Sequence, residues 1–198
     1  PQKFSVDTTD FLTDVDGDGV ADDNELLVGT NPLSSTSTPD KTTIDILAVY
    51  APEVTAHYGG DPSARLDHLI AVSNGAFTDS EVDIEFRLAG SEELAMDTSQ
   101  STSEWLDAAE NSEGVFANLQ QRRESAFADL VTMFRLYDDG GFCGRAQLGG
   151  FANQGLMRRT KHLSVTFIET EECGDITMVH ELGHNLGLNH SAIQSATG

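Results

Sequence analysis

Residues 177–190, TMVHELGHNLGLNH, decide how the rest of this chain is read. They space His180, Glu181, His184, Gly187 and His190 as H-E-x-x-H-x-x-G-x-x-H. At about 3.6 residues per helical turn, His180 and His184 rise one turn apart from a single helix face. Two imidazoles so placed can hold one zinc ion, with Glu181 beside them free of any ligand role. Gly187 can adopt the left-handed conformation that ends a helix, and the turn it makes lets His190 bring a third nitrogen. Three protein ligands leave the fourth tetrahedral position to water, the arrangement of a catalytic zinc site.

An amphipathic helix with histidines on its polar side would also produce H-E-x-x-H. The added glycine and third histidine weigh against that, since each fixed position is met by chance only at roughly the few-per-cent level. The segment resembles the metzincin clan of zinc endopeptidases, whose extended signature it matches at every fixed position. HELGHNLGLNH is most similar to the reprolysin (adamalysin) branch, although Ser191 is the residue matrixins usually carry where reprolysins have Asp. The resemblance implies a twisted, mostly parallel sheet whose lowest, antiparallel edge strand borders a cleft above the zinc. Residues 144–150, GRAQLGG, resemble the G-x-A-x-x-G-G edge segment of reprolysins, so Ala146, Gln147, Leu148 and Gly149 are candidates for pairing with an extended peptide. On pattern alone the same stretch is equally a glycine-rich loop.

The 198 residues suffice for one ordinary domain and a small appendage, here 1–40 and 41–198. Hydrophobic residues at 38% and charged ones at 22% fit a soluble globular protein, and no apolar run is long enough to span a bilayer. A formal charge of −22 argues against nucleic-acid binding, because phosphates would be repelled, and it suits divalent cations. The chain opens at Pro1 without a basic-then-apolar segment and reads as a processed or engineered piece of a longer precursor. Cys143 and Cys173 are read as a disulfide of an oxidising compartment, with free core thiols or an inhibitory zinc ligand as alternatives. Such a bridge closes a loop of about thirty residues and stabilises by roughly 3–4 kcal/mol on the chain-entropy model.

In the amino-terminal stretch, Asp14, Asp16, Asp18, Asp22 and Glu25 fall at positions 1, 3, 5, 9 and 12 of a twelve-residue calcium loop. Gly19 takes the sharp-turn position, and Val20 would give its backbone carbonyl. A solvated acidic arm is the plainer reading, but regular Asp alternation broken by glycine favours Ca²⁺. Little helical pattern precedes Asp14. The layout D-x-D-x-D-G…E-L-L-x-G-T-N-P resembles a single thrombospondin type 3-like calcium repeat, followed by a linker at 33–41. Residues 1–40 are thus a structural calcium module, or else the remnant of a propeptide.

Within the body, 43–50 and 163–168 read as buried strands, 82–88 as a half-buried strand and 128–136 as a further strand. A helix opens at Asp61-Pro62 with Leu66, Leu69, Ile70, Ser73 and Phe77 in helical spacing. Further helical stretches begin at Ser103-Glu104 and around 115–126, a turn is expected at 138–141, and Asp175 is a candidate cap for the helix carrying the histidines. Strands alternating with helices predict an α/β fold with a mostly parallel sheet. His57, His68 and His162 lack ligand spacing and read as surface or packing residues, and Met178 reads as a core residue.

The expectation that follows is a secreted, extracellular zinc endopeptidase acting on proteins or peptides, expected to be monomeric, with Glu181 as general base. Metzincins carry a methionine-containing turn downstream of the third histidine, whereas this chain stops at Gly198 without that lower subdomain. The alternative is a calcium-stabilised binding or adhesion module whose zinc site is structural or inactive. Glu181 speaks against it, since zinc binding alone does not need that residue.

Overall fold

The computed structural model divides the chain into two compact units, Pro1–Thr42 and Thr43–Gly198. It describes residues 33, 41–137, 142–149, 162–168 and 173–190. The acidic loop with Asp14, Asp16, Asp18, Val20, Asp22 and Glu25, and the turn at 138–141, lie outside the described residues.

The second unit is built on a five-stranded sheet of order β2-β1-β3-β5-β4. The strands are β1 Thr42–Tyr50, β2 Ile84–Glu93, β3 Leu130–Arg135, β4 Gly144–Ala146 and β5 Leu163–Phe167. β1 and β3 pair in parallel with Ile46 beside Leu130, and β3 and β5 in parallel with Val131 beside Leu163. β2 runs alongside β1 in the same direction: Thr43 meets Glu85, Asp45 meets Arg87, and the amide of Leu94 donates to Tyr50. β4 alone is antiparallel, with Arg145 beside Val165. The mostly parallel sheet with an antiparallel edge is therefore present.

Every residue of β3 and β5 is buried. Strands covered on both faces are rich in apolar and β-forming residues, which is why these stretches were recognisable although Thr132, Ser164 and Thr166 are also buried there. Alternation divides the core. Leu47, Val49, Val131, Met133 and Val165 face α3 (Thr102–Glu110), α4 (Leu119–Ser125) and the 3₁₀ turn Gly114–Phe116, meeting Trp105, Leu106, Phe116 and Leu119. Ile46, Ala48, Leu130 and Phe134 face the opposite side, where α1 (Pro52–His57), α2 (Ser63–Asp79) and α5 (Thr177–Asn185) bring Val54, Leu66, Leu69, Met178 and Leu182. Met178 and Leu182 are fully buried, each contributing about 1.5–3 kcal/mol, and they anchor α5 beneath the sheet.

Four local outcomes differ from the sequence pattern. α1 was not anticipated: six residues are too few to establish a helical period, and only Pro52 at its start signals it. The 115–126 stretch splits, because Gly114 at φ +54° opens a 3₁₀ turn and Asn118 at φ −108° breaks the path into α4. β2 starts two residues later than expected and runs on to Glu93, with the Asn74 side chain bonded to both backbone groups of Phe86. Asp175 does not cap α5, whose N-cap is Ile176 without a side-chain bond. Arg65 and His68 of α2 take that carboxylate instead, at 2.7 and 3.0 Å, tying the entry of α5 to α2. Their bonds, His68 first, hold the Asp175 pKa below the ordinary carboxylate range.

Candidate metal centre and cleft

α5 places His180 and His184 one turn apart, and the chain then turns at Gly187, φ +99°. The amide of Leu188 donates to the Gly183 carbonyl at 2.9 Å and that of Gly187 to His184 at 3.0 Å, a Schellman closure. Only a residue tolerant of positive φ can make that turn, which is the local reason for glycine there. His190 follows, and its Nε2 lies 3.0 Å from that of His180 and 3.1 Å from that of His184.

Among the described residues this is the group of His, Cys, Asp or Glu whose ligand atoms converge, all within 4.8 Å of one another. Nitrogens at about 2.0–2.1 Å from one tetrahedral ion stand about 3.3 Å apart, so the three histidines fit a zinc site. The tautomer is fixed at one of them. His184 Nδ1 lies 2.7 Å from the Leu188 carbonyl, which can only accept, so Nδ1 carries the hydrogen and Nε2 keeps its lone pair for a metal. Burial, then the neighbouring His184 and His190, lower the His180 pKa and favour its neutral, ligating form.

Glu181 points away from the solvent face and is only 6% exposed. Burial pushes its carboxyl up to about 7, against an opposing pull from the Arg145 guanidinium. A carboxyl balanced there can both take and return a proton near neutral pH. Its resting place depends on Gly144 of β4. A Cβ added at Gly144 would lie 2.5 Å from Glu181 Cγ and 2.8 Å from both Cδ and Oε1. A side chain at this position would have to push that carboxyl aside.

The Cys143–Cys173 disulfide is formed, with Cα atoms 5.3 Å apart. It joins the residue preceding β4 to the segment leading into α5, so it clips together the two walls of one cleft. That cleft, about 690 Å³, is lined from the strand side by Phe142, Gly144, Arg145 and Ala146 and from below by Glu181 and the three histidines. Of the anticipated peptide-contacting residues, Ala146 lines it. The Gln147 side chain reaches Glu110 on α3 at 3.0 Å, the Gly149 amide donates to His184, and Leu148 is partly exposed.

Sequence reasoning missed Asn185, fully buried, whose amide donates to the carbonyls of Gln147 and Leu163 and so pins α5 to β5 and to the segment after β4. A polar residue on the buried side of an amphipathic helix was the available signal. It also missed Gly144 and Arg145 as individual residues of the cleft. Of the other histidines, His57 and His68 are exposed and His162 is buried, none of them near the metal centre's nitrogens.

Comparison with known proteins agrees with this geometry. Residues 63–191 match the family model described as metallo-peptidase family M12B, reprolysin-like. A protein of Pseudomonas aeruginosa named peptidyl-Asp metalloendopeptidase is 31% identical over 156 residues, covering 75% of this chain. The chain spans only 25% of that relative's length. A chain from a structure described as that of a chaperone-substrate complex superposes with a TM-score of 0.63 at 24% identity, covering 78% of this chain and 25% of that one, and shares the fold.

Proposed function

The chain belongs to the reprolysin-like M12B metallopeptidases, and from that premise we propose that it is a secreted zinc-dependent endopeptidase. In this reading His180, His184 and His190 hold the zinc and Glu181 is the general base. The observation that carries it is the convergence of three imidazole Nε2 atoms beside a buried carboxyl on one open cleft. Bound zinc supplies a Lewis acid for the scissile carbonyl and the attacking water. Glu181 takes the proton of that water and returns it to the departing amine. Leu188 holds His184 in its ligating tautomer, and Gly144 leaves room for the Glu181 carboxyl that takes the water's proton.

Proteins or peptides are the substrates, added as a strand along β4. The name of the Pseudomonas aeruginosa relative supports peptides containing aspartate. The Cys143–Cys173 bridge supports an oxidising, extracellular setting, and no described helix is long and apolar enough to cross a membrane. Residues 1–40 form a structural calcium module, with Ca²⁺ on Asp14, Asp16, Asp18, Val20, Asp22 and Glu25.

Digestion of denatured casein by the zinc-loaded chain tests the reading. A chelator should abolish cleavage, stoichiometric zinc should restore it, and metal analysis should find one zinc per chain. Cleavage that survives complete removal of metal would overturn the proposal.

A further inference from the structure

Arg145 stands apart from the other described arginines. Arg65, Arg87 and Arg122 pair with Asp175, Asp45 and Glu92. Arg123 donates to the carbonyl of Ala128, and Arg135 to those of Gln100 and Thr98. Arg145 donates to the hydroxyl of Ser103, its guanidinium sits 5.9 Å from the centre of the Phe142 ring, and its charge acts on the Glu181 carboxyl without forming an ion pair among the described residues. In a chain with 33 acidic and 11 basic residues, Arg145 is an exposed arginine in no ion pair among the described residues, whereas Arg123 and Arg135 are taken up by backbone carbonyls. Asp107, one turn along α3 from Ser103, borders the same notch. A hydroxyl neither neutralises a guanidinium nor fills its five-donor fork, so capacity for a carboxylate remains.

Its place on β4 says where that carboxylate would come from. The Cys143 carbonyl accepts from Phe167 and the Gln147 amide donates to Leu163, both bonds directed at β5. Antiparallel alternation then turns the backbone groups of Arg145 towards β5 as well, and those of Gly144 and Ala146 towards the open edge. A peptide added at that edge bonds to Gly144 and Ala146, and the peptide residue between those bonds lies opposite Arg145 in a non-hydrogen-bonded pair. There side chains project to the same face and approach most closely, with Cα atoms about 4.5 Å apart. Gly144 lies against Glu181, so this peptide residue neighbours the bond to be cut.

We propose that Arg145 is a specificity-determining residue, receiving the carboxylate of an acidic side chain on the substrate residue that faces it across the edge of β4. The inference rests on reading the cleft as a peptide-binding site.

Binding and cleavage test it separately. Fluorescein-labelled alanine-rich peptides, each carrying one Asp at successive positions, are titrated into the full zinc-loaded chain bearing Glu181→Gln, with matched Asn peptides as controls. At one position Asp should bind about tenfold tighter than Asn, the size of one charge-assisted bond, and the advantage should shrink with salt. Arg145→Ala should erase the Asp/Asn ratio, and Arg145→Glu should shift the preference to Lys at the same position. The wild-type chain is then given the same peptides and the cleavage sites mapped. An Asp preference in binding that vanishes with Arg145→Ala supports the inference even if wild type cuts nothing, an outcome that removes only the proteolytic reading. An Asp/Asn ratio unchanged by Arg145→Ala, or no binding of any peptide, overturns it.

Discussion

α5 and β4 face each other across the cleft and are built on different principles. α5 carries its chemistry in side chains whose positions follow from helical spacing, so His180 and His184 would share a face on any isolated helix, with Glu181 about a quarter turn round from His180. β4 contributes Gly144, Arg145 and Ala146, two of them nearly without side chains. What it offers is the edge strand of the sheet among the described residues, and the close approach that glycine allows beside Glu181. One wall is thus specified by what its residues are, the other by what they leave out, and the Cys143–Cys173 bridge holds the two together.

The largest expected effect lies on the helical wall. Glu181→Gln should keep its zinc but lose on the order of 10²–10⁴-fold in peptide hydrolysis, as general-base removal does. Metal analysis beside the assay reads both, and parental activity in this variant would reduce α5 to a metal holder. Next comes the link between the walls. Replacing Cys143 and Cys173 together by serine should cost roughly 3–4 kcal/mol by denaturant unfolding, the loop-closure increment for their separation of 30 residues. A cost near zero would mean that packing alone holds the walls.

The strand wall is probed by Gly144→Ala. Overpacking against Glu181 should destabilise by about 1–3 kcal/mol, and displacement of the carboxyl by even about 1 Å should lower turnover by on the order of 10²-fold. The stability cost should disappear in a Glu181→Ala background, where the atoms that the new methyl meets are gone. If the cost persists there, the constraint belongs to the strand and the comparison between walls fails.

The smallest effect lies away from both walls and serves as their control. His162 is buried, and that burial, reinforced by the Arg123 charge, lowers its imidazole to about 4. An unfolded chain takes up this proton below about pH 6.5, which the folded chain resists down to about 4. The associated stability is therefore complete above pH 6.5 and is lost as pH falls towards 4, by about 2 kcal/mol between pH 6.5 and 5. His162→Gln should remove that increment from the pH dependence of unfolding while leaving zinc content unchanged.

Much of the fold was legible because the central strands are covered on both faces, so 43–50, 128–136 and 163–168 stand out as short stretches rich in apolar and β-forming residues. α2 was legible from Leu66, Leu69 and Ser73 at helical spacing. Asp175 misled because Asp before an apolar run is a common cap, whereas here Arg65 and His68 supply charged bonds that an exposed cap does not match. The 144–150 segment stayed balanced between loop and strand, since only pairing with β5 distinguishes the two.

By itself the sequence determined the helix that presents two imidazoles one turn apart with a carboxyl next to the first, the glycine that turns the chain, and the third histidine beyond it. Those relations span at most ten residues, and local backbone geometry enforces them. Tertiary structure alone decided that a glycine of β4 abuts Glu181, that Asn185 ties the helix to strands distant in sequence, and that Arg145 makes no ion pair among the described residues. Those outcomes depend on which atoms a packed core brings together across dozens of residues, and no periodicity in the chain encodes them.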